Sequence, residues 1–352
     1  RDGIVYVYEG DDDSAETKLK HRHHVQHDDG ERSSVLITCI GIHPNGKSFY
    51  TAAENGSIKQ WNLFSGWQIR EFQSAKNQIM SIIITTIRHT FTLISCGWDG
   101  KIFFYHESGT IFNQTQAFKK HDLHCMTRCG DYMYACGSAN GELCLYLLGS
   151  SKPRKVLYVT EKLQDVLSLS ESNISNKMLR ANNNDKSLSF YKPTTSVDTM
   201  IYLKTYDVLL AGTSLGTVVG IQMVEAKFIG NGYSKICSYD CSPITSLKTN
   251  EYKNRKGQIT KAPTLLMTGD VNGRIRLWHI KLSVVKHKNI EMNFGKPIAC
   301  FKDDSIRTTV ASIEFLPNMA LFVIPTHNGG LLFINCVGDK VHLIYDINLQ
   351  LK

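Results

Sequence analysis

The chain has 352 residues, of which 42% are hydrophobic and 20% are charged, and its formal net charge is +8. Its apolar runs are far shorter than the roughly 20 residues that a membrane-spanning helix needs, and no secretory signal is visible, so we expect no membrane partner. The positive charge concentrates in two predicted loops, Lys253 to Lys261 and Lys281 to Lys296, without the interleaved aromatic residues that stack on bases. We therefore interpret them as solvated loops rather than a nucleic-acid site. An acidic partner surface, such as tubulin or RNA, is the functional alternative.

Small polar residues followed by glycine recur between short apolar runs. Asn-Gly and Asp-Gly tolerate the left-handed backbone angles of a two-residue type I′ hairpin, whose twist matches the strands that it joins. Each pair therefore predicts one tight β-hairpin. The pairs are Asp2-Gly3, Asn55-Gly56, Asp99-Gly100, Asn140-Gly141, Asn272-Gly273 and Asn328-Gly329, and Leu215-Gly216 fits the same frame with leucine in the polar position.

The residues on both sides of these turns have the composition of strands. β-Branched and aromatic residues follow the turns, as in Ser57 to Trp61 and Lys101 to Tyr105, and a second apolar run such as Thr92 to Cys96 precedes them. Where no extra loop intervenes, the turns recur about every 40 residues, which is typical of the blades of a β-propeller. The sequence therefore predicts an all-β fold.

Two stretches, Val35 to Asn62 and Leu265 to Ile280, resemble the repeats of the WD-repeat family. In that family a His-Pro-Asn-Gly-type turn joins the first two strands, and a tryptophan closes the third. Trp61 and Trp278 hold that closing position, and other residues replace the tryptophan elsewhere. The resemblance implies a seven-bladed WD-repeat β-propeller of four-stranded antiparallel blades. A hairpin turned at Asn184-Asp185 would add an eighth blade, which is the alternative.

The predicted organisation follows from counting the turns. We assign residues 1–30 to a partial first blade and an acidic, His-rich connection, and residues 31–149 to three blades. Residues 150–197 form either an inserted variable loop or a degenerate blade. Residues 198–352 form three more blades, with an inserted loop at 251–262. Because Asp2-Gly3 is itself a predicted turn, we expect the sequence to begin in the middle of a blade of a longer protein.

The sequence shows no convincing catalytic or metal-binding pattern. His21, His23, His24 and His27 form its densest group of candidate ligands, but they lie in a polar connection without the fixed tetrahedral shell of a zinc site. No phosphate-binding Gly-Lys-Ser or Gly-Lys-Thr and no Gly-x-Ser-x-Gly nucleophile motif occurs. We therefore expect a non-catalytic protein without cofactor, metal or small-molecule substrate.

Ten cysteines are present, and five of them lie inside predicted strands: Cys39, Cys96, Cys136, Cys144 and Cys336. Cysteine in a strand usually acts as a small buried hydrophobic residue. We therefore predict reduced thiols and a cytoplasmic protein.

The family resemblance also implies a buried hydrogen-bonded set within each blade, made of a histidine, a Ser or Thr, the turn aspartate and the closing tryptophan. His121 matches the first position, Asp99 the turn, and Trp61 or Trp278 the last, and no single blade retains all four. We expect these residues to stiffen the blades.

In a propeller, the turns between second and third strands lie on one face around the central channel. The resemblance therefore predicts a candidate interaction face at Glu54, Trp98, Asp99, Ala139, Val271 and His327. Trp98 is the strongest candidate for a binding residue, because tryptophan is a frequent hot spot of protein interfaces. The alternative is that its ring covers a neighbouring blade.

A narrower resemblance concerns the succession Ser95 to Ile102, His121 to Tyr146 and Thr268 to Trp278, which is similar to the second propeller of ciliary WD-repeat proteins. It implies a structural component of the ciliary or flagellar axoneme, in the cytoskeleton, that docks other axonemal proteins and microtubules. A scaffold of an RNA-processing or ubiquitin-ligase complex, cytoplasmic or nuclear, is the alternative.

Overall fold

The computed structural model describes residues 3–10, 19–28, 35–72, 75, 77–87, 90–118, 121–159, 195–223, 226–228, 242–253, 259–285, 289–293, 297–302, 306, 309–317, 319–326, 330–337 and 340–347. The elements of these residues are β-strands, which confirms the predicted all-β class. The chain forms two compact units, residues 1–126 with 146–154 and residues 127–145 with 155–352.

The first unit contains a two-stranded sheet and two complete four-stranded sheets, and neighbouring strands in each sheet are consecutive in sequence. The two-stranded sheet consists of β1 (Ile4–Gly10) and β2 (Leu19–Gln26). The first four-stranded sheet consists of β3 (Ile37–Ile42), β4 (Ser48–Ala53), β5 (Ile58–Asn62) and β6 (Gln68–Phe72), and the second of β7 (Ile79–Ile87), β8 (Thr90–Gly97), β9 (Lys101–Tyr105) and β10 (Ile111–Gln116).

A further four-stranded sheet has the same simple order. It consists of β11 (Leu123–Cys129), β12 (Met133–Ser138), β13 (Glu142–Leu147) and β14 (Lys155–Tyr158).

Three four-stranded sheets lie in the second unit, and one of them carries two inserted hairpins. The first consists of β15 (Val197–Leu203), β16 (Val208–Thr213), β17 (Val218–Gln222) and β18 (Lys227–Phe228). The second has the order β19-β22-β23-β26, with β19 (Ile244–Thr249), β22 (Leu265–Asp270), β23 (Arg274–His279) and β26 (Ala299–Lys302). Its inserted hairpins are β20 (Tyr252–Lys253) with β21 (Ile259–Lys261), and β24 (Lys281–Val285) with β25 (Asn289–Asn293). The third consists of β27 (Glu314–Leu316), β28 (Leu321–Pro325), β29 (Leu331–Val337) and β30 (Lys340–Ile347).

Six four-stranded antiparallel sheets are thus present in the described residues, which confirms the predicted blade architecture. The count of seven blades stays a prediction, as do the domain boundaries. The choice between a loop and an extra blade at 150–197, including Asn184-Asp185, falls largely outside the described residues.

The turns between second and third strands carry their glycine where the sequence predicted it, but the predicted two-residue type I′ geometry is wrong. That turn type needs positive φ at both central residues, and Asn55, Asp99, Asn140 and Asn272 do not have it. Gly56, Gly100, Gly141, Gly216 and Gly273 all have positive φ angles, a region that glycine enters without steric cost. Gly56 also has no room for a side chain, because a Cβ there would lie 2.2 Å from the Ala75 carbonyl oxygen. Tight turns therefore alternate with strands as predicted.

Apolar clusters hold neighbouring sheets of the first unit together. Between β3–β6 and β7–β10, a buried cluster includes Tyr50, Phe72, Leu93 and Tyr105. Between β1–β2 and β3–β6, Val25, Phe49 and Trp61 form a smaller buried cluster, against which Val5, Val7 and Leu63 pack. Each sheet therefore covers one face of the next.

Several outermost strands contain one extra residue relative to the neighbouring strand, and β6 and β10 are two of them. In β6 the extra residue is Ile69, and in β10 it is Phe112, and both side chains are exposed. Such β-bulges interrupt the regular ladder and increase the local twist.

Four of the five cysteines predicted to be buried thiols, Cys39, Cys96, Cys136 and Cys144, are free thiols, and the side chain of Cys336 lies outside the described part of the structure. Burial raises the pKa of Cys39 to about 12 and raises the pKa of Cys96 well above its usual range. A raised pKa disfavours the thiolate, which is the reactive form of cysteine.

Candidate interaction surface

A buried hydrogen-bond network in the first four-stranded sheet fixes its second and third strands. The Trp61 indole N–H donates to Thr51 Oγ1 at 2.8 Å, and Thr51 Oγ1 lies 2.6 Å from His27 Nδ1. His27 Nε2 lies 2.7 Å from Ser57 Oγ, whose hydroxyl donates to Asn55 Oδ1 at 2.6 Å. Since the Ser57 proton is directed to Asn55, the His27 Nε2–H donates to Ser57, and Nδ1 accepts from the Thr51 hydroxyl.

The electrostatics of this network require a neutral imidazole. His27 is fully buried, and this burial, with a smaller contribution from the Lys59 charge, lowers the His27 pKa from 6.5 to about 4, while the Asp28 charge raises it. The buried Lys59 ammonium donates to Asp28 at 2.8 Å. At neutral pH the His27 ring is therefore neutral. Its Nε2–H donates to the Ser57 hydroxyl, and its Nδ1 accepts from the Thr51 hydroxyl.

The sequence reasoning missed this role of His27, which it grouped with the candidate metal ligands. The position of His27 relative to its turn glycine indicates its role. The His27 backbone N–H donates to the Gly3 carbonyl at 2.7 Å, and the Ala75 backbone N–H donates to the Gly56 carbonyl at 2.9 Å at the equivalent point of the next sheet. His27 thus directly follows β2, in the connection to β3, and its carbonyl accepts the Val35 backbone N–H at 3.4 Å. In the described residues, no group of three or more His, Cys, Asp or Glu side chains is placed to hold a metal ion.

The other predicted blade residues, His121, Asp99 and Trp278, lie outside the first four-stranded sheet. His121 lies half-buried just before β11. Asp99 accepts the Lys101 backbone N–H at 3.0 Å, and burial raises the pKa of its carboxyl. In the closing position of that sheet, Tyr105 places its hydroxyl 3.2 Å from Ser95 Oγ, so tyrosine replaces tryptophan without loss of the polar contact.

Trp278 belongs to a second buried network, in the second unit. Its indole N–H donates to Thr268 Oγ1 at 3.1 Å. Nearby, the buried Asp270 accepts two backbone N–H groups, from Asn272 and Arg274, and forms an ion pair with Arg276 at 2.8 Å. The ionised carboxylate is thus satisfied by backbone donors on one oxygen and by a guanidinium on the other.

Three residues of the predicted interaction face lie in the first unit, at the same end of two neighbouring sheets. Gly56 of the β4–β5 turn packs against the backbone carbonyl of Asn77, and Gly97 at the β8–β9 turn packs against the carbonyl of the adjacent Gln78. The β4–β5 turn with Glu54 and the β8–β9 turn with Trp98 and Asp99 therefore lie on one side. We call Glu54, Trp98 and Asp99 the turn face.

Trp98 is displayed from a rigid backbone. Trp98 is 48% exposed, while its backbone N–H donates to the Gln78 backbone carbonyl at 3.1 Å. A Cβ on the adjacent Gly97 would lie 2.0 Å from the same carbonyl, so the turn is closely packed. Glu54 is exposed, and its carboxylate accepts the Leu36 N–H at 3.1 Å.

The remaining predicted interface residues lie elsewhere. In the second unit, Ala139 is half-buried at the β12–β13 turn and Val271 is exposed at the β22–β23 turn. His327 lies outside the described residues. The binding role of all six residues stays a prediction.

A second exposed apolar group was not predicted. Phe64 and Trp67 lie in the turn from β5 to β6, and Trp67 is 76% exposed. The Arg22 guanidinium lies 5.2 Å from the centre of the Phe64 ring, and a Cβ on Gly66 would meet the His23 ring. Arg22 and His23 of strand β2 thus pack against this turn.

Residues 22–62 match the family model of the WD40 repeat, described as WD domain, G-beta repeat. No curated protein sequence matches the chain. No described helix has the length and apolarity needed to cross a membrane.

Several solved structures share the architecture at low sequence identity. U3-55K is 13% identical, with a TM-score of 0.60 over 90% of this chain and 82% of that chain. The β-propeller domain of Cps50 (Swd1) from Myceliophteria thermophila is 16% identical, with a TM-score of 0.63 over 90% and 87%. A chain of the mitotic checkpoint complex is 11% identical, with a TM-score of 0.59 over 97% and 84%. The chain thus contains a segment that matches the WD40 repeat, and the solved structures support a WD40-type β-propeller fold with four-stranded antiparallel blades.

Proposed function

We propose that this protein is a non-catalytic scaffold that binds a partner protein through the turn face of its first unit. WD40 propellers are generally non-catalytic interaction scaffolds, and one similar structure belongs to a multiprotein assembly, the mitotic checkpoint complex. The observation that carries the proposal is Trp98: a large aromatic side chain, half-exposed, on a turn whose backbone is already fixed. A preorganised aromatic side chain loses little conformational entropy when a partner covers it.

The turn face also has the chemistry of an interface centre. The turn face carries the exposed carboxylate of Glu54 and the half-buried one of Asp99, and a partner with basic side chains around an apolar pocket would complement these groups and Trp98. The exposed edge of the Trp98 ring supplies apolar area, and the two carboxylates supply specificity.

Trp98→Ala tests the site directly. We expect it to weaken partner association at least about tenfold, because central tryptophans commonly contribute about 2 kcal/mol or more to an interface. The measurement is cross-linking mass spectrometry of the full-length protein in cells, followed by affinity measurement with the cross-linked partner. Trp67→Ala is the matched control, since it removes an exposed indole of the same unit from another surface; equal losses in both variants would contradict the proposal.

We further propose that the assembly is the axoneme of cilia or flagella, where the protein would dock other axonemal proteins and microtubules within the cytoskeleton. The support is the similarity of the segments quoted above to ciliary WD-repeat proteins. Detergent-extracted axonemes provide the test: the protein should remain with the axoneme and be released by high salt. Recovery in ribonucleoprotein fractions instead would favour the RNA-processing alternative.

A further inference from the structure

The turn that joins β5 to β6 is held in place by one asparagine. Asn62 Oδ1 accepts the backbone N–H groups of Phe64 and Ser65 at 2.8 and 3.0 Å. The Asn62 carbonyl accepts the Gly66 N–H at 3.0 Å, and the Asn62 N–H donates to the Trp67 carbonyl at 2.9 Å. Hydrogen bonds to this one residue thus fix the backbone of the turn before any partner binds.

The base of the same turn is anchored to the rest of the first unit. Leu63 packs on the buried cluster between β1–β2 and β3–β6, and its backbone N–H donates to the Lys47 carbonyl at 2.9 Å. A Cβ on Gly66 would lie 2.7 Å from the His23 ring, so the turn is also closely packed against β2. The side chains of the turn are therefore displayed from a fixed frame.

Two aromatic side chains are displayed in this way. Phe64 is 52% exposed and Trp67 is 76% exposed. The Arg22 guanidinium of β2 lies 5.2 Å from the centre of the Phe64 ring, which is a cation–π contact. Large exposed apolar groups with polar residues at their rim are typical of interaction sites.

Positive charge flanks the aromatic pair. Arg22 and the exposed Lys47 lie on the two segments that contact the turn, β2 and the β3–β4 connection. Burial lowers the pKa of His23, and the charge of Arg22 lowers it further, so this imidazole adds no charge at neutral pH. The Glu9 carboxylate lies 3.6 Å from Arg22, but both side chains are exposed, and such ion pairs contribute little in water. A carboxylate of a partner can therefore compete for Arg22.

The opposite end of the first four-stranded sheet has the opposite charge. Glu54 of the turn face lies before β5, and the aromatic pair follows β5, so a strand of five residues, about 17 Å, separates the two ends. The turn face carries the carboxylates of Glu54 and Asp99, whereas Arg22 and Lys47 flank the β5–β6 turn. The two ends therefore complement partners of opposite charge.

We propose that a second partner protein docks here through a short segment in which acidic residues flank an apolar side chain. The docking residues, which we call the aromatic surface, are Phe64, Trp67, Arg22 and Lys47. The apolar side chain would cover the two aromatic rings, and the carboxylates would pair with the two cations. The proposal adds a surface to the scaffold function and does not depend on the turn face.

The chemistry of the aromatic surface favours a polypeptide over a nucleic acid. A site for single-stranded nucleic acid neutralises several phosphates along a basic groove and stacks successive bases. The aromatic surface has two positive charges, and one of them already lies against a phenyl ring. Two cations beside a compact aromatic pair match a short acidic motif instead.

A random peptide library displayed on phage tests this chemistry. The library is selected on the full chain and, separately, on Trp67→Ala. Because Trp67 is largely exposed, the variant should keep the thermal unfolding temperature of the unsubstituted protein. We expect the peptides that are lost with Trp67→Ala to carry Asp and Glu around one apolar residue. Loss of neutral or basic peptides, or no loss at all, overturns the proposal.

Charge reversal provides the quantitative test with a selected acidic peptide. Lys47→Glu and Arg22→Glu should each weaken its binding at least about tenfold, and high salt should reduce this difference. Tyr132→Ala is the matched control, because it removes an aromatic side chain that is 78% exposed in the second unit, and it should bind the peptide normally. Equal affinities of the three variants overturn the proposal. Displacement of the peptide by single-stranded RNA at a lower concentration than by free peptide also overturns it, because the surface would then prefer phosphates.

Discussion

The imidazole of His27 and the hydroxyl of Thr51 lie 2.6 Å apart in a fully buried site, although 24 residues separate them in sequence. This contact joins the connection before β3 to the middle of β4, and Trp61 extends it to β5. Because its members come from separate segments, the network stabilises only the assembled sheet.

Removing the imidazole should therefore unfold the first unit more readily. In His27→Ala, Thr51 and Ser57 each lose a buried partner and a cavity remains, so we expect a loss of about 3 kcal/mol in the free energy of unfolding. Urea titration followed by tryptophan fluorescence measures it. His24→Ala removes an exposed imidazole from the neighbouring strand and should change stability by less than about 0.5 kcal/mol.

The buried imidazole also predicts a stability that falls in mild acid. The His27 pKa is 6.5 as an unperturbed value and about 4 in the folded protein. Below pH 6.5 the unfolded chain binds a proton that the folded protein does not, so the contribution of His27 is complete above that pH and is lost as pH falls towards 4. Between pH 7 and pH 5 this amounts to about 2 kcal/mol.

Comparison with His27→Gln isolates this contribution, because glutamine does not titrate. We expect the variant to lose less stability than the unsubstituted protein between about pH 7 and pH 5 in the same urea titrations. Identical pH dependence in the two proteins would show that other groups cause it.

Gly56 should be sensitive to a single methyl group. Its φ is +84°, and a Cβ would lie 2.2 Å from the Ala75 carbonyl oxygen, so Gly56→Ala combines backbone strain with a steric clash. We expect a loss of at least about 3 kcal/mol. Gly46 is the matched control, because its φ is +67° and a Cβ there would meet nothing within 4 Å. Gly46→Ala carries the cost of backbone strain alone, about 1 kcal/mol; thermal unfolding compares the two.

The buried ion pair of Asp270 and Arg276 should contribute more to the free energy of unfolding than the more exposed pair of Glu314 and Lys248. Asp270→Asn removes the carboxylate charge that pairs with the buried Arg276 guanidinium, which should cost about 3–5 kcal/mol. Glu314→Gln, which breaks the more exposed pair with Lys248, should cost less than about 1 kcal/mol. Chemical denaturation of both variants measures the difference, and near-equal losses would contradict the buried ion pair.

Local chemistry made much of the fold predictable. Glycine enters positive φ without steric cost, so Gly56, Gly100 and Gly273 identified their hairpins without knowledge of the remaining structure. The closing tryptophans Trp61 and Trp278 were equally visible, since each lies five residues after its turn.

The buried networks and the exposed surfaces were less predictable, because both depend on contacts between sheets. His27 lies in a run of histidines that the sequence does not distinguish, and only the assembled sheet buries it. Ile40 and Ile82 have the same local pattern, yet one is exposed and the other is covered by β3. Exposure is here a property of the neighbouring sheet, not of the residue.

The extra residues Ile69 and Phe112 in the outermost strands β6 and β10 have a consequence for solubility. A straight outer strand would offer other molecules a template for sheet extension and, ultimately, for fibril growth. One inserted residue per strand breaks that template while its own apolar side chain stays at the surface. On the margins of these two sheets, large hydrophobic groups are thus exposed without a regular ladder of backbone donors and acceptors beside them.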